Sequence, residues 1–389
     1  MIILKNGEYL APSGEFVKGD IFIKGDRIYS LRLRDGNAGE DIQGLDLNGA
    51  EIIDLEGKKV IPGLIDIHTH GALGYDVAVA SAEEIYEIAK YQARNGTTTF
   101  MPTTVTDDIN NTKKALEEIR KASDMQGDGA TIAGVHIEGP YINAEKKGAH
   151  DPKWIKVPSK AEYDNFREIL DPLKVHITVA PEIEGGLDFI RYVRQNGGTV
   201  GIGHTNADYE ITMKAVEAGA NIFTHLFNAM RGLAHREPGV AGAALSSDIP
   251  VELICDGIHV HPAIVKVIVR ARGAEGVVLV TDSIQAAGLG DGEYEFAGSK
   301  IYVKDGYAGQ EDGTLVGSVL CLFDAVRNVI DFAGISLQDA VRMASLNPAR
   351  VLGIDDEVGT IEEGKRADLV VLDDDIRIDK VFCRGIQVR

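Results

Sequence analysis

The chain has 389 residues, with 40 Lys+Arg against 60 Asp+Glu and a formal net charge of -20. Nucleic-acid binding relies on clustered positive charge, so that class is disfavoured. A composition of 44% hydrophobic and 26% charged residues is that of an ordinary globular protein, which argues against a disordered or fibrous chain.

Residues 1–56 read as short strands broken by turn residues: Ile2-Ile3-Leu4 before Asn6-Gly7, Asp20 to Lys24 before Gly25-Asp26, and Glu51 to Asp54. Apolar or β-branched runs follow at 60–67, 97–105, 131–137, 174–180, 199–203, 221–226, 251–255 and 277–281. Amphipathic helical patterns lie between most of them, such as Ser81 to Arg94, with a Ser cap at its start and Gly96 as its stop. The glycine-rich segment 285–316 reads as a loop or hairpin insertion near the last strand. Leu369 to Leu372, Lys380 to Cys383 and Gly385 to Val388 return to β character. The expected architecture is α/β: a (β/α)8 TIM-like barrel over 57–354, with a small β-sandwich domain built from 1–56 and 355–389. A doubly wound open sheet is the alternative.

No apolar stretch approaches the roughly 18 residues of a membrane span. The start, Met1 to Gly7, lacks a secretory signal's basic and apolar regions, so a cytoplasmic protein is expected. Cys255, Cys321 and Cys383 are odd in number and far apart, which suits neither a disulfide framework nor a zinc knuckle.

Polar residues of metal-ligand type stand at five of the predicted strand ends. The first ends in Asp66-Ile67-His68-Thr69-His70, the third in His136-Ile137-Glu138, the fifth in Gly203-His204, the sixth in Thr224-His225 and the eighth in Thr281-Asp282. In a barrel these ends converge on one mouth. His68 and His70, two apart on a strand, point to the same face. Imidazoles mixed with carboxylates suit zinc, with iron, manganese or cobalt compatible with the same set. A single histidine at a strand end is usually structural; it is the coincidence of five such ends that points to metal.

His68-x-His70, Glu138, His204, His225 and Asp282 resemble the amidohydrolase superfamily. The motifs His136 to Asn143, Lys147 to His150, Gly203 to Thr205, Thr224 to Met230, Arg236 to Gly239, Asp256 to His259 and Val280 to Asp282 resemble its N-acetylglucosamine-6-phosphate deacetylase family. The resemblance implies a main metal on Glu138, His204 and His225, with an open position for water. Because His68 and His70 are both present, it also implies a second ion bridged by Glu138, although this pair could merely shape the pocket.

It further implies Asp282 as the catalytic acid–base, and His150 as the donor beside the scissile carbonyl. Arg236 and His259 would hold a phosphate, together with the backbone at Asn228 and Ala229. In the family this arginine comes from the neighbouring subunit, so a homodimer is expected. The implied reaction removes acetate from N-acetylglucosamine 6-phosphate in amino-sugar catabolism and cell-wall recycling. The N-acetylgalactosamine epimer and a cyclic amide, as in dihydroorotases and hydantoinases, remain alternative substrates. A non-catalytic scaffold is disfavoured by the complete ligand set. His136 reads as a support for the ligands and Trp154 as a packing residue, while His235 and His261 carry no assigned role.

Overall fold

The computed structural model describes residues 1–33, 49–125, 127–296 and 298–389. Eight parallel strands form the barrel of a nine-stranded sheet, the ninth being the two-residue strand Thr131–Ile132 paired with Thr99 and Phe100: β1 (Leu64–Thr69), β2 (Thr97–Thr104), β3 (Gly134–Glu138), β4 (Lys174–Val179), β5 (Thr199–Ile202), β6 (Ile222–Phe223), β7 (Val251–Ile254) and β8 (Val277–Val280). Each pairs with the next in chain order. The ring closes at the C-terminal ends, where Asp282 N–H donates to the His68 carbonyl (2.8 Å) and His70 N–H to that of Ser283 (2.7 Å). Asp66 adds a side-chain tie across the same seam, accepting from the Thr281 hydroxyl at 2.6 Å. Burial pushes the Asp66 carboxyl up to about 6, against the lowering effect of these hydrogen bonds. This closure rules out the open sheet.

The strands are buried on both faces, as a parallel sheet wrapped by helices requires. Val251, Leu253, Val277 and Leu279 join the large apolar core shared with the surrounding helices. The helix Ala82–Arg94 has the anticipated start: Ser81 accepts from the Glu84 amide while the Glu84 carboxylate reaches back to the Ser81 amide. Gly96, at φ 85°, turns the chain directly into β2.

The apolar run 60–67 is two strands rather than one. Lys59–Pro62 pairs with Leu369–Leu372 in the sheet of the two termini, and β1 begins only after Gly63. The terminal sheet therefore reaches beyond the expected limit of residue 56, because Val60 and Ile61 find their partners in the returning C-terminal strand. Of the segment 1–56, residues 34–48 lie outside the described residues. The terminal sheet divides along Ile2–Leu10, whose first half pairs with Glu51–Asp54 and whose second half pairs with Lys59 and Val60. Both arms contribute to one core that includes Leu4, Ile21, Val60, Leu369, Val371 and Phe382.

The insertion at 285–316 is an antiparallel unit of Gly292–Phe296, Ser299–Lys304 and Tyr307–Gly309. Its Phe296, Ile301, Val303 and Ala308 pack with Val105, Ile284 and Val316 as a separate small core beside the barrel mouth. Among the described residues no helix is long and apolar enough to cross a membrane, and all three cysteines are free thiols.

Gly63 links the terminal sheet to β1 and lies close against Thr98 of β2. A Cβ there would lie 2.1 Å from Thr98 Oγ1 and 2.9 Å from Thr98 Cβ. Gly63→Ala is expected to destabilise the fold by about 1–3 kcal/mol, the usual cost of overpacking. Adding Thr98→Ala should restore much of the loss in thermal denaturation, and an unchanged melting temperature for Gly63→Ala alone would refute the contact.

Candidate metal centre and active site

Five imidazoles surround one carboxylate at the mouth. Glu138, the last residue of β3, lies with Oε1 3.1 Å from His204 Nε2, 3.0 Å from His225 Nε2 and 3.4 Å from His68 Nε2. Its Oε2 is 3.2 Å from His70 Nε2 and 3.4 Å from His150 Nε2. Asp282 Oδ1 faces the other side of the His68–His70 pair, at 3.5 and 3.2 Å. Two groups of close donor atoms result, one of His68, His70 and Asp282 and the other of Glu138, His204 and His225.

The chain bends sharply to aim these groups. His204, His225 and Asp282 have φ of 46°, 30° and 48°, the left-handed region that non-glycine residues seldom occupy. Such backbone strain concentrates where a side-chain direction is functionally demanded. Each of the three is the second residue after its barrel strand, and each side chain meets the donor groups at the mouth.

The donor chemistry fits a cation. His204 Nδ1–H donates to the Lys146 carbonyl at 2.8 Å and His68 Nδ1–H to Glu252 at 3.1 Å, which leaves both Nε2 lone pairs directed inward. His204 Nε2 and His225 Nε2 stand 3.0 Å apart, and His68 Nε2 and His70 Nε2 3.3 Å. Paired inward lone pairs repel one another unless a positive charge lies between them. The electrostatics agree. Burial would raise Glu138 and Asp282, but the facing histidines outweigh it, holding Glu138 well below its usual range and Asp282 at about 2. Burial pulls His70 down, yet hydrogen bonds to Asp282 and Glu138 push it up to about 9. Each is the response of a site that attracts positive charge.

His150 is differently poised. The Thr106 amide donates to its Nδ1 at 3.1 Å, which places the imidazole proton on Nε2, facing the centre. It is thus a neutral hydrogen-bond donor rather than an inward lone pair. Beneath the mouth the barrel interior is polar: His136 Nε2 pairs with the Thr178 hydroxyl (2.8 Å) and His68 packs edge-on to His136 at 4.4 Å. His136 is accordingly buried below the donor groups and belongs to neither.

A cleft of about 230 Å³ opens above Glu138 and Asp282, and its lining includes His150, Asn228, Ala229 and His259. Ala229 and the preceding Phe227 also take positive φ, 47° and 76°. Asp256 Oδ2 accepts from His259 Nδ1 at 2.6 Å and orients that ring. Burial raises the Asp256 carboxyl, but the bond and charge of His259 leave it below its usual range. Phe296 and Leu315 from the insertion, with Val105 and Ala149, form the apolar wall.

Arg236 does not line this cleft; it sits on the exposed stretch 232–237 together with His235. His261 accepts from the Ala263 amide and caps the helix Pro262–Arg272. Trp154 is only half-buried, in the short turn Pro152–Trp154 with the Lys153 ammonium over its ring, and so is not a core residue. Sequence reasoning missed Glu252 and the insertion's Phe296 and Leu315. For Glu252 a signal existed, since it is a lone carboxylate inside the apolar run Val251 to Cys255.

Residues 59–388 match the amidohydrolase family. An N-acetylgalactosamine-6-phosphate deacetylase of Escherichia coli O157:H7 is 36% identical over 92% of this chain and 94% of its own length. An N-acetylglucosamine-6-phosphate deacetylase of Vibrio furnissii is 38% identical over 86% of this chain and 84% of its own. The structure of the Mycobacterium smegmatis N-acetyl-D-glucosamine-6-phosphate deacetylase in complex with N-acetyl-D-glucosamine-6-phosphate superposes with a TM-score of 0.89 at 31% identity, covering 100% of this chain and 99% of that one. The closed barrel, its strand-end ligand types and these relatives agree: the chain belongs to the amidohydrolase family, among its N-acetyl amino-sugar-6-phosphate deacetylases.

Proposed function

We propose that the chain hydrolyses the acetamido group of N-acetyl-D-glucosamine 6-phosphate, giving D-glucosamine 6-phosphate and acetate. The observation that carries this reading is one cleft holding the Glu138-centred donor groups, the Asp282 carboxylate and the neutral donor His150, with Asn228, Ala229 and His259 also in its lining.

Glu138, His204 and His225 would hold the main ion and His68 and His70 a second, with Glu138 shared between them; zinc is the expected metal. A divalent ion supplies Lewis acidity, lowering the pKa of water from 15.7 towards about 7 and polarising a carbonyl. Asp282 takes a proton from the attacking water as its oxygen bonds to the acetyl carbon. His150 Nε2–H donates to the carbonyl oxygen as negative charge develops on it. The C–N bond then breaks, and Asp282 delivers its proton to the departing amine. His259, the backbone at Asn228 and Ala229, and Arg236 hold the phosphate. Arg236 is exposed and outside its own chain's cleft, which supports its acting on a neighbouring subunit in a homodimer.

The defining experiment is acetate release by metal-analysed protein. N-acetylglucosamine 6-phosphate is expected to be turned over and the unphosphorylated sugar barely at all; release from neither would refute the assignment. The similarity to an N-acetylgalactosamine-6-phosphate deacetylase makes N-acetylgalactosamine 6-phosphate the necessary third substrate, and its preferential turnover would reassign the sugar.

Asp282→Asn is expected to lower kcat by at least about 10²–10⁴-fold, the usual contribution of a general acid–base, while metal content stays near normal. Turnover at the parent rate would remove Asp282 from the proton path. Arg236→Ala should raise KM for the phosphorylated substrate far more than it affects the unphosphorylated one. Mixed dimers of Arg236→Ala and Asp282→Asn subunits should regain activity, because one of the two sites then combines an intact Asp282 with an intact Arg236. Absence of complementation in verified mixed dimers would place Arg236 outside the neighbouring site.

A further inference from the structure

Glu252 is fully buried in the middle of β7, between Val251 and Leu253. Its Oε2 accepts from His68 Nδ1 at 3.1 Å and also from the backbone N–H of His225 at 3.1 Å. Its own carbonyl accepts from the Leu226 amide at 2.9 Å. Glu252 thus holds a side chain of one donor group and the backbone of the other. Its second oxygen, Oε1, has no hydrogen-bond partner among the described residues; His176 Nε2 stands 3.9 Å away, beyond hydrogen-bonding distance.

A buried carboxylate without a cation is costly, and among the described residues no lysine or arginine pairs with Glu252. What it does have is an imidazole whose opposite nitrogen points at Glu138, His70 and Asp282. A carboxylate behind a ligand histidine fixes the ring's tautomer and makes its other nitrogen a better donor.

We propose that Glu252 is a positioning residue: it holds His68 as the Nδ1–H tautomer and so enables His68 and His70, with the shared Glu138, to take the second ion. This rests on the two-ion reading above. Without Glu252, His68 is free to carry its proton on Nε2, turning an inward lone pair into an inward N–H that excludes a cation from that group. The group of Glu138, His204 and His225 keeps its own orienting bond from His204 to the Lys146 carbonyl, so it should bind its ion still.

The test uses the full chain, stripped with chelator and titrated calorimetrically with Zn²⁺. The parent, Glu252→Met, Glu252→Gln and His70→Ala are compared. Methionine fills the space with only a weakly accepting sulfur, whereas glutamine keeps an acceptor oxygen. The parent should bind two ions. Glu252→Met should bind one as the parent does and the other ten- to a hundredfold more weakly, like His70→Ala. Glu252→Gln should recover most of the lost affinity. In parallel, long-range proton–nitrogen spectra of histidine-labelled stripped protein are recorded at alkaline pH, where His68 is neutral although, against burial, Asp282 and Glu138 hold its pKa up; with His68 assigned through His68→Asn, they should show Nδ1–H in the parent and in Glu252→Gln but not in Glu252→Met. Two parent-like ions with an unchanged His68 tautomer in Glu252→Met would overturn the proposal, as would equal weakening of both sites. A parent that binds only one ion would instead sink the two-ion reading, and the His68 spectra would then decide the role of Glu252 alone.

Discussion

Glu138 is a carboxylate removed from water and ringed by five imidazoles, each with a nitrogen within 3.0–3.4 Å of one of its oxygens. That arrangement is tolerable only because opposite partial charges and directed lone pairs share the space, and it determines what surrounds it. The histidines must approach from different directions, which a barrel mouth permits and a flat sheet edge does not. They must also stay in one tautomer, and this explains the polar contacts behind them, such as Lys146 behind His204 and Glu252 behind His68.

The closure of β8 onto β1 serves the same centre. The amide of Asp282 donates to the carbonyl of His68, so the seam of the barrel joins two residues of one donor group. Thr281 and Asp66 lock this seam one layer below. Errors in strand register there would move His68 and Asp282 apart together with the hydrogen bonds that close the ring, so stability and site geometry are coupled at this point. The insertion after β8 then supplies Phe296 and Leu315 as an apolar wall of the cleft beside the polar groups.

Much of this was legible in the chain. Parallel strands buried on both faces are largely apolar runs, and each of the eight runs overlaps a barrel strand. The ligand types stand out because they gather at the C-terminal ends of these runs, whereas the buried polar residues inside them, such as His136, His176 and Glu252, carry no such positional signal. Less legible was the break at Gly63: an unbroken apolar run looks like one strand, whereas the return of Leu369–Leu372 claims its first half for the terminal sheet.

The sequence by itself determined the barrel class, the two-ended β domain and the identity of the converging histidines and carboxylates, because hydrophobic periodicity and strand-end position are local properties of the chain. Only the tertiary structure decided which nitrogen of each imidazole faces inward, that Asp282 stands against His68 and His70, and that Glu252 lies behind His68. These depend on hydrogen bonds between residues far apart in sequence, Glu252 and His68 being separated by 184 positions, and no local pattern encodes the distance or direction of such a pair.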